Sequence, residues 1–106
     1  MVDRYQFPTK MTPQAVIATT TAAWDNGADV TIPIGTVYVV VYGTENFHCV
    51  ATSSATTYAD AIGTVYAKEQ THIIELGSLC ANAVAYLHHN GLTANANLYW
   101  TAFGNA

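Results

Sequence analysis

Hydrophobic residues in this chain alternate with polar ones or gather in short blocks, and turn-forming residues cut each block before a helical period develops. Val30, Ile32 and Ile34 alternate with Asp29, Thr31 and Pro33, giving one apolar face with the period of a half-buried strand; Pro33 marks an edge or the strand's end. Thr36–Tyr42 is the clearest strand, β-branched or aromatic at every position and closed by Gly43, which predicts cover on both faces. Phe47, Cys49 and Ala51 line one side of the next segment, Thr52–Asp60 reads as a loop, Ile62–Ala67 and Thr71–Leu76 as strands, and Lys68-Glu69-Gln70 as the turn between those two. Upstream, the Thr-rich run Ala15–Trp24 leads into Asp25-Asn26-Gly27, a tight-turn signal because Asn and Gly accept positive φ.

The segment Ser78–His89 is ambiguous. Its alanines, a Ser78 N-cap and Gly91 fit a short helix, whereas Asn90-Gly91 as a hairpin turn favours a strand over Ala83–His89 that returns through Ala94–Phe103. In the returning strand Leu98 and Trp100 share one face, Tyr99 and Phe103 the other. About eight strands in hairpin order, without βαβ spacing, predict an all-β fold: an antiparallel β-sandwich, jelly-roll-like, spanning residues 14–106 as one domain. Residues 1–13 read as an extended N-terminal arm, since Pro8 and Pro13 bias Phe7 and Thr12 to extended geometry. The arm's apolar anchors are Val2, Tyr5, Phe7 and Met11; it either lies against its own domain or reaches a neighbouring subunit, which makes these four the candidate partner-binding residues.

Composition sharpens the functional side. Charged residues make up 9% of the 106-residue chain, against about 25% in an ordinary domain, and none occurs from Leu76 to Ala106. A surface of Thr, Ala and Asn is either hydrated by its own hydroxyls and amides or covered by neighbours. With Arg4, Lys10 and Lys68 as the only basic residues and a net charge of −4, nucleic acid is not an expected partner. The longest apolar run, Val37–Tyr42, is far below the ~20 residues of a membrane span, and no signal peptide is recognisable, so the protein is expected in a cytosol with Cys49 and Cys80 reduced.

Catalytic signatures are missing: there is no Gly-x-Ser-x-Gly elbow, phosphate-binding glycine loop or His-Glu-x-x-His helix. His48, His72, His88 and His89, with Glu75, would be the ligands of a cupin-like metal site, but adjacent strand residues such as His88 and His89 point to opposite faces. The Asp25–Asp29 segment has the carboxylates of a calcium loop without its register, Thr36 standing where the bidentate Glu belongs. No enzyme activity, metal or cofactor is therefore expected. Tyr38, Tyr42, Tyr66, Tyr86, Tyr99 and Trp100 could form a sugar-stacking platform or serve in core and interface packing, and packing is favoured.

The stretch Ile32-Pro33-Ile34-Gly35-Thr36-Val37-Tyr38-Val39-Val40-Val41-Tyr42-Gly43, with Thr93-Ala94-Asn95-Ala96-Asn97-Leu98-Tyr99-Trp100, resembles small β-sandwich structural proteins of bacteriophage heads, including capsid decoration (cement) proteins. The resemblance covers Gln14–Phe103. It implies a virion structural protein made in the host cytoplasm that docks on the capsid exterior, clamping copies of the major capsid protein and contacting itself as a homo-oligomer such as a trimer. A carbohydrate- or receptor-binding virion module is the alternative implied by the aromatic residues, a cupin-like metalloprotein the third.

Overall fold

A computed structural model describes residues 8–21, 30–54 and 64–105. They form nine strands: β1 (Thr9–Lys10), β2 (Ala15–Thr19), β3 (Thr31–Ile32), β4 (Thr36–Gly43), β5 (Phe47–Thr52), β6 (Thr64–Tyr66), β7 (Thr71–Glu75), β8 (Ala85–Gly91) and β9 (Ala96–Gly104). All pairings are antiparallel and fall into two sheets, one ordered β1-β9-β4-β7 with β2 also on β9, the other β3-β8-β5-β6. The fold is all-β, two sheets packed face to face as a β-sandwich.

The core follows from strand alternation. Val39, Val41, Leu98, Trp100 and Ala102 point inward from the five-stranded sheet and meet Ile32, Phe47, Cys49, Ala85 and Leu87 from the four-stranded one. Each large aliphatic or aromatic side chain so buried contributes about 1.5–3 kcal/mol. Phe47 fits because Gly43, facing it across the sandwich, has no side chain: a Cβ there would lie 2.5 Å from the Phe47 ring. The ring stacks on Tyr66 at 5.4 Å and meets the edge of His72 at 6.1 Å, closing one end of the core.

Several connections differ from the sequence reading. Asn90 and Gly91 are not a hairpin turn but the last residues of β8, and β8 and β9 lie in different sheets. Gly91 is required by a close approach instead: its N–H donates to the Thr20 carbonyl at 2.8 Å, and a Cβ would lie 2.5 Å from the Ala94 carbonyl oxygen. Ser78–Ala83 is a string of turns and bends, neither helix nor strand, and carries the chain from one sheet to the other. The strand read over Val30–Ile34 pairs only at Thr31–Ile32, because Pro33 opens a turn. There Thr36 Oγ1 donates to the Pro33 carbonyl at 2.8 Å, and Gly35 takes the positive φ of 95° that glycine tolerates best. The Asp25-Asn26-Gly27 turn and most of the loop read over Thr52–Asp60 lie outside the described residues.

The segment expected as an arm also contributes to the sandwich. Thr9–Lys10 pairs with Phe103 and Gly104 as β1, and the Met11 N–H donates to the Ala102 carbonyl at 2.8 Å. Thr12 Oγ1 accepts the Ala102 N–H at 3.1 Å, so a side chain fills the ladder position lost between β1 and β2 before Pro13.

Candidate interaction surface

β4 decides where the outer surface becomes unusual. Its inward residues Val39 and Val41 are fully buried, but the outward set Tyr38, Val40 and Tyr42 is only half-buried, so the cover expected on both faces is present on one. Strand register aligns these residues in three rows across the outer face of the five-stranded sheet. The first row is Glu75, Tyr38, Phe103 and Lys10; the second Ile73, Val40 and Thr101; the third Thr71, Tyr42, Tyr99 and Val16.

The aromatic members are cross-strand partners. Tyr38 and Phe103 stack at 5.1 Å with an interplanar angle of 8°, and Tyr42 and Tyr99 meet at 6.3 Å tilted by 58°. Such pairs hold the rings upright against one another and contribute roughly 0.5–1.5 kcal/mol beyond the area they cover. Because Tyr38 and Phe103 present their ring faces to each other, those faces are partly taken, and a sugar would find edges more readily than an open platform. Ile73 and Val16, at 62% and 59% exposure, are the most exposed large apolar side chains of the described residues and flank the rings on both sides. Charge enters the rows only at the ends of the first, as Glu75 and Lys10.

Taking strands ~4.8 Å apart and residues ~3.4 Å along each, the face covers roughly 300–400 Å². That is about half of the ~800 Å² per partner typical of a specific protein–protein interface.

The sequence-predicted site residues divide. Val2, Tyr5 and Phe7 lie outside the described residues. Met11 lies against its own domain, packed on the core with its Sδ 3.6 Å from Thr36 Oγ1. Of the six aromatic candidates, Tyr38, Tyr42 and Tyr99 share the outer face just described, Tyr86 is on the outer face of the other sheet, and Tyr66 and Trp100 point inward. Sequence reasoning overlooked Val16, Val40 and Ile73, although β4's apolar character at every position was the available signal; alternation along β9 does place Phe103 on the face of Tyr99.

The histidines do not converge. His88 and His89 leave opposite faces of β8, as alternation predicts; His48 is on the outer face beside Asn90, and His72 turns inward to donate from Nε2 to the Ala67 carbonyl at 2.8 Å. Among the described residues no three His, Cys, Asp or Glu side chains cluster as a metal site would require. Cys49 and Cys80 are buried and unbridged, and burial raises both thiols above their ordinary range, keeping them protonated. A cleft of about 500 Å³ opens between β7 and β6, lined by Cys49, Tyr66, Ile74, Leu76 and Leu79 together with the polar Thr64 and Glu75. No helix of the described residues is long and apolar enough to cross a membrane. Compared with known proteins, the chain matches no family model, no curated protein and no solved structure.

Proposed function

We propose that this chain is a non-enzymatic virion structural protein, a capsid decoration protein that docks its five-stranded sheet on the outside of a phage head and clamps neighbouring copies of the major capsid protein. In this reading it is made in the host cytoplasm, ends on the capsid exterior and contacts copies of itself there. The observation that carries the docking role is β4, a strand apolar on both faces with only one face covered by its own chain. A face of Tyr38, Tyr42, Tyr99, Phe103, Val40 and Ile73 has the aromatic-rich, charge-poor composition of an interface centre. The small area suits a lattice, where many weak contacts repeated on one shell give avidity that a single contact lacks. The capsid itself enters through the resemblance of Ile32–Gly43 and Thr93–Trp100 to phage head proteins.

Head shells assembled from the major capsid protein encoded in the same genome provide the test. The purified protein co-sediments with them at a fixed ratio, and the double variant Tyr42→Ser/Phe103→Ser binds at least tenfold more weakly while keeping its fold. Failure of the wild type to sediment with shells overturns the capsid reading. The carbohydrate-binding alternative uses the same aromatic residues, and selective binding on a glycan array without shell binding would replace our reading with that one.

A further inference from the structure

The edges of the two sheets are not equally guarded. β1 and β3 are two residues long and adjoin Pro8 and Pro33, β6 is three residues long and followed by Lys68, and β2, entered through Pro13, is drawn at Thr20 toward the other sheet by bonds from Asn90 and Gly91. Short edges, prolines, lysines and bends are the usual devices against strand addition. β7 has none of them: Thr71-His72-Ile73-Ile74-Glu75 is five residues long, in unbroken register with β4, and no other described strand pairs with it.

The register also fixes which backbone groups that edge offers. The Leu76 N–H donates to the Val37 carbonyl at 3.0 Å, and bonded pairs recur every second residue of an antiparallel ladder, so Ile74 and His72 spend their backbone groups on β4. The N–H and C=O groups of Thr71, Ile73 and Glu75 therefore point away from β4, toward the side on which no described strand lies.

We infer that β7 is a self-pairing edge, on which the β7 strand of a second copy adds antiparallel about a two-fold axis through Ile73. This register pairs Thr71 with the second copy's Glu75, Ile73 with its own counterpart and Glu75 with Thr71, each facing pair exchanging both backbone bonds. Centring the axis on His72 or Ile74 would leave one of the three unmatched. The match is electrostatically quiet, since the sole charge of β7, Glu75, faces a threonine rather than another carboxylate. Ile73, 62% exposed, is covered by its counterpart, and the inward His72 and Ile74 of the added strand extend over the mouth of the cleft beneath Ile74 and Leu76. Pairing makes the two five-stranded sheets continuous and doubles the outer aromatic face to roughly 600–800 Å², the size of a standard interface. The inference deepens the docking proposal only in giving that doubled face its use; the pairing itself stands on the edge.

Mass by sedimentation equilibrium across a dilution series is the test, with three variants of the full chain. The wild type is expected to pass from monomer to dimer with rising concentration. Thr71→Pro, at the first residue of the strand where the N–H faces outward, keeps the β4 ladder and raises the dimer dissociation constant at least tenfold. Ile73→Cys forms a covalent homodimer on mild oxidation, its paired Cα atoms lying about 5.5 Å apart, within disulfide reach, whereas the wild type with its buried Cys49 and Cys80 forms none. Tyr42→Ser/Phe103→Ser, which weakens shell binding, leaves the dimer unchanged and so separates the two proposals. A wild-type protein that stays monomeric up to about 1 mM, the weak end of specific association, overturns the inference. So does Ile73→Cys failing to cross-link, which also decides the matter if Thr71→Pro does not fold.

Discussion

The two outer faces of the sandwich are built from the same kind of strand and finished in opposite ways. On the four-stranded sheet, the outward residues of β5 and β8 include His48, Thr52, Tyr86, His88 and Asn90, and the chain supplies its own polar cover. His88 is fully buried although it points outward: its Nε2–H donates to the Ser54 carbonyl at 2.8 Å and lies 2.9 Å from Thr52 Oγ1. Asn90 Nδ2 donates to the Thr20 carbonyl at 2.8 Å. On the five-stranded sheet the outward residues are rings and aliphatic side chains, and the rings cover only one another. Directional groups are satisfied within the chain, because an unsatisfied polar group is expensive to bury, whereas apolar area waits without penalty in geometry for any surface that fits.

The strongest way to break this contrast is to remove what holds both faces in place. Phe47→Ala is expected to cost about 3–5 kcal/mol of stability, since the ring fills the space over Gly43 and supports Tyr66 and His72. Chemical denaturation should show it as a lower midpoint with an unchanged slope. Next comes His88→Ala, which empties a fully buried site and removes one of two hydrogen bonds to the Ser54 carbonyl, the Thr52 hydroxyl keeping the other, and should cost about 1–3 kcal/mol. Tyr42→Ser on the opposite face gives up the tilted contact with Tyr99 and should cost about 0.5–1.5 kcal/mol, while weakening docking. Equal destabilisation by the two variants would remove the distinction between a self-covered and an open face.

A smaller effect sharpens the picture of the interior. Burial raises the Cys49 and Cys80 thiols, and burial followed by the nearby Cys49 raises the Tyr66 hydroxyl, so each group holds its proton more tightly folded than unfolded. Groups with raised folded values stabilise fully below their unfolded titration point and lose that contribution above it. The melting temperature should be flat near neutrality and fall as pH rises past ~8.5, where an unfolded thiol begins to ionise. A melting temperature that rises over that interval contradicts the buried, protonated thiols.

Much of the scaffold was legible because β-branched and aromatic periodicity is a local property. Thr36–Gly43, Phe47–Thr52, Thr71–Glu75 and the two faces of Ala96–Gly104 emerge from the chain with little ambiguity. What stayed hidden is non-local. Asn90-Gly91 has the composition of a hairpin turn, yet its glycine answers to Thr20 and Ala94, residues whose proximity no short window contains. Likewise, β4's apolar residues announced a strand wanting cover on both sides, but only the assignment of β8 to the other sheet and of β9 and β7 to its flanks shows which side goes uncovered. The aromatic surface was thus visible as a list of residue types and invisible as a face.

β9 pairs with β1, β2 and β4, so residues 9–19 find their ladder partners only in residues 96–104. Pairings so remote in sequence close slowly, because the whole intervening chain must be gathered first. During synthesis β4 emerges long before β9, and until the ribosome has delivered residues 96–104 its tyrosines and valines lack that flanking strand. Slower translation past residue 43 is therefore expected to lengthen the interval in which β4 stands without that flank, and to raise the share of chain lost to aggregation.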